Sequence, residues 1–515
     1  MSVTRLTLRI SAADLAVLRQ HPLLTDCRIE PPYTQGQRYC YWDTPARLLM
    51  RQGIHLYLHQ QGIDTWQGLT LTPEQAARYQ ILCEQKVLLK GHQLDLAAFE
   101  VLPKELKSIL ELMEPRLELV GEAHIQREYQ LLQFRNGTQA ILCIDIGYLQ
   151  VGVEAGRRTE SIHELGVVLH KGKLKKLLDG VTRLAADIPM FLEGQTLAQR
   201  CFRLQDQSAA EPLKATLPEL QQPLAGPRLA TTLEACQQTL LTNLQVLRAG
   251  RGLDNPEWVH QARVALRRIR TLLRLSHQLM PRRSQKLREA LCPLAQKLGQ
   301  WRDWDVFLQH TWPQWIAQVG AHPADALLQE FFQARRYQAI QEVQTELNQA
   351  SCGRALLELE GLRVRLPAHD RLSARDMACT ALRAGYRTWV TALQQIPAHP
   401  DPKTYHDLRI VLKKLRYTLD GCVDLFEGKK PKRWLKALTQ AQEVLGQQND
   451  QWQAIQVLRN LSIVRTGCAA SLLQVEERRL ILIDRAEEEL TQAELLIEPS
   501  LKALQELPIF WKRSS

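Results

Sequence analysis

The chain has 515 residues, with 66 Lys and Arg against 55 Asp and Glu, for a formal net charge of +11. That length exceeds one ordinary hydrophobic core and predicts roughly two to four domains, each able to fold without disulfides. The 11 cysteines are scattered, with no CxxC pair and no Cys/His cluster at zinc-ligand spacing; no stretch approaches the apolar length of a membrane span, and MSVTRLTLRISAADLAVL lacks a secretory-signal pattern. The expectation is a cytoplasmic protein with reduced thiols, no metal site and no membrane partner.

Residues 1–204 alternate short apolar runs with turn signals: RLTLRI, GIHLYLHQQG, WQGLTLT, YQILCEQKVLL, AILCIDIGYLQVGV and ELGVVLHKG. Alternation, β-branched residues and Gly-containing breaks predict an antiparallel sheet or barrel, with an interleaved helix at LKKLLDGVTRLAADI. Residues 205–227, QDQSAAEPLKATLPELQQPLAGP, concentrate Pro, Gln, Ala and acids without periodicity and read as a linker. From residue 228 onward, helix-period segments such as LATTLEACQQTLLTNLQVL and LLQEFFQARRYQAIQEVQTEL predict an all-α part. The charge is uneven: residues 1–204 carry 24 basic against 22 acidic side chains (+2), and residues 205–515 carry 42 against 33 (+9). A basic balance of this kind favours a polyanionic partner without naming it.

The helical part repeats itself. VHQARVALRRIRTLL (259–273) and YHDLRIVLKKLRYTL (405–419) align His260 with His406, Arg263 with Arg409, Arg267 with Lys413, Arg268 with Lys414 and Arg270 with Arg416. The register persists into LGQWRDWD (298–305) and LGQQNDQW (445–452), and each copy carries a basic run in between, PRRSQKLR and KKPKRWLK. On a helix at about 100° per residue, Arg263, Arg267, Arg270 and Arg274 fall within about 80° of His260, opposite Ala262, Ala265, Leu266, Ile269, Leu272 and Leu273. His406, Arg409, Lys413 and Arg416 make the second stripe, opposite Leu408, Val411, Leu412, Leu415 and Leu419.

A charge run on a helix is ordinarily a solvated face, and such faces mix signs because like charges at i, i+3 and i+4 repel. These stripes hold no acid near their centres, which points to a polyanion that relieves the repulsion. Arginine forks fit phosphate oxygens bidentately, lysine supplies compact charge, and histidine adds a titratable donor. Nucleic acid is disfavoured, because base readers bring aromatic or amide groups that these stripes lack.

Residues 228–505 resemble the CHAD domain, the conserved histidine α-helical domain, through the twofold H-x-x-R-x-x-x-R/K-R/K-x-R stretch and the later LGxxxD segments. The resemblance implies a bundle of two pseudo-symmetric repeats, about 228–365 and 374–505, around a basic channel that binds inorganic polyphosphate, with association to polyphosphate granules. By position it carries the binding role to His260, Arg263, Arg267, Arg268, Arg270, Arg274, His406, Arg409, Lys413, Lys414 and Arg416. Asp303 and Asp450 are read as capping or bracing helices.

Residues 1–204 look like a CYTH, or triphosphate-tunnel, domain: YCYWDTPARLLMRQGIHLYLHQQG resembles its YYDTP…LRLR strand pair, QREYQLLQFRNGTQAILCIDIGYLQVG its later hairpin, and SIHELGVVLHKGKLKKLL its ELELKxG strand with the following helix. The implied fold is an α+β domain with a closed eight-stranded antiparallel barrel. The family's chemistry is eroded here. Val3, Arg5 and Thr7 replace the E-x-E-x-K residues, Gly166, Val168 and His170 follow Glu164 where acids and lysine are usual, Tyr57 and His59 replace arginines, and Ile141 replaces a glutamate. Too few carboxylates remain for a Mg²⁺ or Mn²⁺ site. Asp43, Arg127, Asp145 and Glu164 are therefore expected to support the fold. Polyphosphate binding by the helical part leads; an inorganic triphosphatase using Mg or Mn in the barrel is the alternative, and no cofactor or catalytic residue is assigned otherwise.

Overall fold

A computed structural model describes residues 5–152, 156–205, 211–216, 222–369, 371–397, 400–461 and 469–511. Val3 and parts of the linker, 206–210 and 217–221, lie outside the described residues. The chain forms two compact units, one of residues 1–212 and 348–361, the other of residues 213–347 and 362–515.

The first unit is built on strands β1 (Arg5–Ile10), β2 (Tyr33–Asp43), β3 (Ile54–Gln61), β4 (Asp64–Leu71), β5 (Glu84–Leu88), β6 (Glu118–Gln133), β7 (Gln139–Val151), β8 (Arg158–Lys171) and β9 (Met190–Leu192). Helices α1 (Ala12–Arg19), α2 (Pro22–Thr25), α3 (Leu48–Arg51), α4 (Pro73–Tyr79), α5 (Lys104–Met113), α6 (Leu174–Asp187) and α7 (Leu197–Gln205) connect or flank them. The strands pair antiparallel in the order β5-β4-β3-β2-β6-β7-β8-β1-β9. Gly62, at φ +61°, opens the two-residue turn between β3 and β4, a backbone region that glycine enters without a Cβ clash.

The expected closed eight-stranded barrel is corrected to an open nine-stranded sheet, since no pairing among the described residues joins the edge strands β5 and β9. Closure needs a continuous ladder, and these edges are short: β5 has five residues and β9 three. Of YQILCEQKVLL only Glu84–Leu88 is strand, because Tyr79 ends α4 and Gln80 turns left-handed at φ 54°.

From residue 225 onward the chain is helical: α8 (Ala225–Arg248), α9 (Glu257–Ser276), α10 (Pro281–Ala290), α11 (Cys292–Val306), α12 (Trp312–Val319), α13 (Asp325–Leu347), α14 (Ala350–Arg363), α15 (Ala374–Gln394), α16 (Pro402–Asp420), α17 (Lys430–Arg459), α18 (Ala469–Leu495) and α19 (Ile497–Gln505). Most of α14 groups with the sheet. Gly353 in that helix lies so close to β9 that an added Cβ would stand 1.7 Å from the Met190 carbonyl oxygen. None of the described helices is long and apolar enough to cross a membrane.

The two stripe helices, α9 and α16, are amphipathic as their periodicity predicts. Ala262, Ala265, Leu266, Ile269, Leu272 and Leu273 are buried on α9; Leu408, Leu412, Leu415 and Leu419 are buried on α16, with Val411 half-buried. Each fully buried leucine contributes about 1.5–3 kcal/mol, which fixes the rotation of both helices and hence where their cations point. In the second repeat this core gathers Trp389, Trp434 and Trp511, and the Trp434 indole N–H donates to the Pro508 carbonyl at 3.0 Å. Pro293 divides the helices after the first stripe into α10 and α11, whereas α17 continues over the matching stretch without a break.

Candidate functional site

Helices α9 and α16 pack on one another, and their cations interleave. The guanidiniums of Arg267 from the first repeat and Arg416 from the second lie against one aromatic ring, Tyr417, at 4.2 and 4.5 Å from its centre. Such contacts are worth about 0.5–2 kcal/mol each and partly offset the repulsion between the two arginines. Tyr417 was not among the sequence-derived candidates; its only signal was its place directly after Arg416. Arg267, Arg268 and Tyr417 also line a small recess with Thr232, Thr271, Leu272, Asp420 and Gly421.

One group of these cations is Arg263, Arg409 and Lys413. Burial, with Arg409 and Arg263 beside it, pulls the Lys413 ammonium down to about 7, against the weaker opposing pull of Asp450 and Asp303. Arg409 is shifted downward by burial despite those same acids. Asp303 and Asp450 brace rather than cap: both sit inside their helices, α11 and α17, and each reaches the first arginine of its own repeat, Arg263–Asp303 at 3.6 Å and Arg409–Asp450 at 3.8 Å. In both repeats a glycine, Gly299 or Gly446, leaves the helix surface bare where a Cβ would stand 4.0 Å from the arginine Nε.

The two histidines differ. His406 Nδ1 donates to Asn449 Oδ1 at 2.6 Å, which leaves Nε2 for another partner. At the matching position of the first repeat stands Arg302, and the His260 imidazole is lowered by burial and by Arg302, Arg267 and Arg263, against Glu257.

Toward the other end, Arg270, Arg274, Arg288 and Lys414 act on one another. Burial and the fields of Arg288 and Arg270 bring Arg274 down to about 10, and Lys414 is lowered by burial and by Arg274, Arg288 and Arg270. Arg288 belongs to the PRRSQKLR run and was not singled out from sequence. Arg270 approaches Cys292 Sγ at 4.0 Å, and Arg416 Nε donates to Gln442 Oε1 at 2.5 Å. Arg268 is partly engaged elsewhere, because its Nη1 donates to the Ala215 carbonyl of the stretch before α8. Among the described residues, the buried Nε donors of Arg267, Arg274 and Arg409 find no acceptor. A run of cations about 21 Å long, from His260 to Arg274 at 1.5 Å per residue, therefore lies along α9 beside its counterpart on α16.

The matched carboxylates Asp145 and Glu164 do not fit a divalent cation. Asp145 and Glu164 face each other across β7 and β8, and arginines already occupy them. Arg127 grips Asp145 with Nε at 2.6 Å and Nη2 at 2.8 Å, Arg5 adds a third contact at 2.8 Å, and Arg200 from α7 binds Glu164 and Glu160. A Cβ at Gly166 would stand 2.7 Å from the Arg5 guanidinium, so the missing side chain is what gives Arg5 room. Arg200 was missed in the sequence; it is 1% exposed on the buried side of α7. Asp43 accepts from the Thr44, Leu49 and Met50 amides at 2.7, 3.0 and 3.0 Å and so organises the turn into α3.

Residues 231–459 match the family model of the CHAD domain. No curated protein matches the chain. Among solved structures, the CHAD domain from the plant Ricinus communis aligns over 58% of this chain and 98% of its own, at 24% identity and a TM-score of 0.47. PptA from Streptomyces chartreusis aligns over 55% and 100%, at 16% identity and a TM-score of 0.43. A putative adenylyl cyclase from Hippeastrum with a dominant triphosphatase activity aligns over 39% and 94%, at 16% identity and a TM-score of 0.25.

Proposed function

We propose that the helical part binds inorganic polyphosphate along the joined cation faces of α9 and α16, and that this binding attaches the protein to polyphosphate granules. The observation that carries the reading is the crowding of like charge from both repeats. Burial and this crowding together pull Lys413 to about 7, and guanidinium donors are left without acceptors among the described residues. A fold keeps such a cluster at a cost in stability, and a chain of phosphates reverses that cost by accepting the free donors. A linear anion suits a linear array, whereas a single small anion would meet only a few of these groups. His260, Arg263, Arg267, Arg270, Arg274, His406, Arg409, Lys413 and Arg416 make the contacts; Lys414 and Arg288 extend the basic end, and Arg268 contributes from the side.

Equilibrium binding of long-chain polyphosphate to the full chain tests this, beside a variant with Arg263, Arg267, Arg409 and Lys413 changed to Gln. With hydrogen bonds to charged groups worth about 1.5–3 kcal/mol each, the variant should lose affinity by at least about a hundredfold. The unaltered protein should bind polyphosphate more tightly than single-stranded nucleic acid at matched charge and salt. Binding untouched by the four substitutions would refute the reading.

A further inference from the structure

Two carboxylates inside this basic array are not explained by binding a polyanion. Asp303 and Asp450 come from different repeats at matching positions of α11 and α17, and they are close enough to feel one another. The fold does not demand their burial, since their side chains are 72% and 56% exposed. Their ion pairs, at 3.6 and 3.8 Å with water access, are of the weakly stabilising kind. Asp303 is reached by water yet ringed by protein, and this enclosure raises its carboxyl pKa against the pull of Arg263, Lys413 and Arg409. Both acids thus stand among the cations that a phosphate would otherwise take. At the opposite end, the neighbours whose charges act on Arg274 and Lys414 are arginines.

Resting on the polyphosphate reading, we propose that Asp303 and Asp450 are an internal counter-anion that masks the histidine end of the array, so that a phosphate chain engages the Arg270, Arg274, Arg288 and Lys414 end first. Only a chain long enough to extend from that end meets the two carboxylates and must displace them from Arg263 and Arg409. Short phosphates settle at the unmasked end and never feel them. The mask also offsets part of the repulsion among Arg263, Arg409 and Lys413 in the free protein.

The test is the full-length double variant Asp303→Asn with Asp450→Asn, compared with a charge-matched control, Glu105→Gln with Glu111→Gln, two exposed positions on α5. The probes are long-chain polyphosphate and tripolyphosphate. Removing a like charge near the ligand is worth about fivefold per site in a solvated setting. The double variant should therefore bind the long chain at least about tenfold more tightly than the control, and tripolyphosphate less than about threefold more tightly. Equal gains on both probes, or long-chain affinity no better than the control, overturn the mask; weaker binding would make the acids positioning groups for the arginines. If neither probe binds any of these proteins, the polyphosphate reading fails, and heparin retention decides the mask by itself. Elution of the double variant at higher salt than the control upholds it, and co-elution overturns it.

Discussion

Lys413 should make polyphosphate binding take up a proton. In the free protein its ammonium is held at about 7 by burial and by Arg409 and Arg263, with Asp450 and Asp303 opposing. Phosphate oxygens alongside would favour the charged form and return it toward the ordinary lysine value of 10.5. Because the bound pKa lies above the free one, the Lys413 contribution to affinity is full below about pH 7 and falls as pH rises through that value toward the bound one. The limiting slope for one proton is about tenfold per pH unit, or about 1.4 kcal/mol. Between pH 7 and 9 the loss therefore approaches a hundredfold. Titration calorimetry at pH 8, in two buffers of different ionisation enthalpy, should report close to one proton taken up per complex. Lys413→Arg, which stays charged, should abolish both the uptake and the slope above pH 7. No proton uptake by the unaltered protein, or the same uptake in Lys413→Arg, would refute the reasoning.

His260, lowered by burial and neighbouring arginines, should add a second proton uptake below pH 7, and His260→Gln should remove it in the same calorimetric experiment. Tyr417→Ala should weaken polyphosphate binding by about five- to tenfold as Arg267 and Arg416 lose their shared ring, while Tyr417→Phe should bind normally; direct titration distinguishes them. Arg200→Leu should destabilise the first unit by about 3–5 kcal/mol, seen as an earlier denaturant transition, because it strands Glu164 in a buried setting. Burial pushes the Glu160 carboxyl up, and Arg200, Arg203 and Arg9 more than reverse this to hold it at about 2, so its contribution is present above about pH 4.5 and is lost as pH falls toward 2. Acid unfolding followed by circular dichroism should show that window, and Glu160→Gln should narrow it.

The stripe helices were legible because amphipathic periodicity is local: the residues that repeat every three and four positions bury one face and leave the cations on the other. The duplication was legible for the same reason, since its register could be read along the chain. The Arg267 and Arg416 contacts to Tyr417 join residues from two repeats, and nothing in either stretch states which helix faces which. Asp303 and Asp450 were visible as conspicuous acids, but their mid-helix position and reach to Arg263 and Arg409 depend on how α11 and α17 pack. In the first unit the loss of acids at positions 5 and 166 was readable. That Arg5 fills the space above Gly166, and that Arg200 arrives from α7 to neutralise Glu164, was not. Sheet closure likewise depends on whether the edges meet, which strand alternation does not encode.

The grouping of α14 with the sheet has a consequence for how the protein is made. The chain leaves the first unit near residue 212, builds six helices of the second, α8 to α13, and returns only at residue 348. The close seat of Gly353 against Met190 therefore forms between segments separated by more than a hundred and fifty residues of synthesis. A ribosome-bound chain can pair its strands early, but it completes the first unit only after α8 to α13 have emerged. Truncations ending anywhere between residues 212 and 347 should yield a sheet with an uncovered seam, prone to holdase capture and proteolysis, although every strand is present. Nascent-chain proteolysis across that interval should show protection rising in two steps, the second only once residue 361 has cleared the exit tunnel.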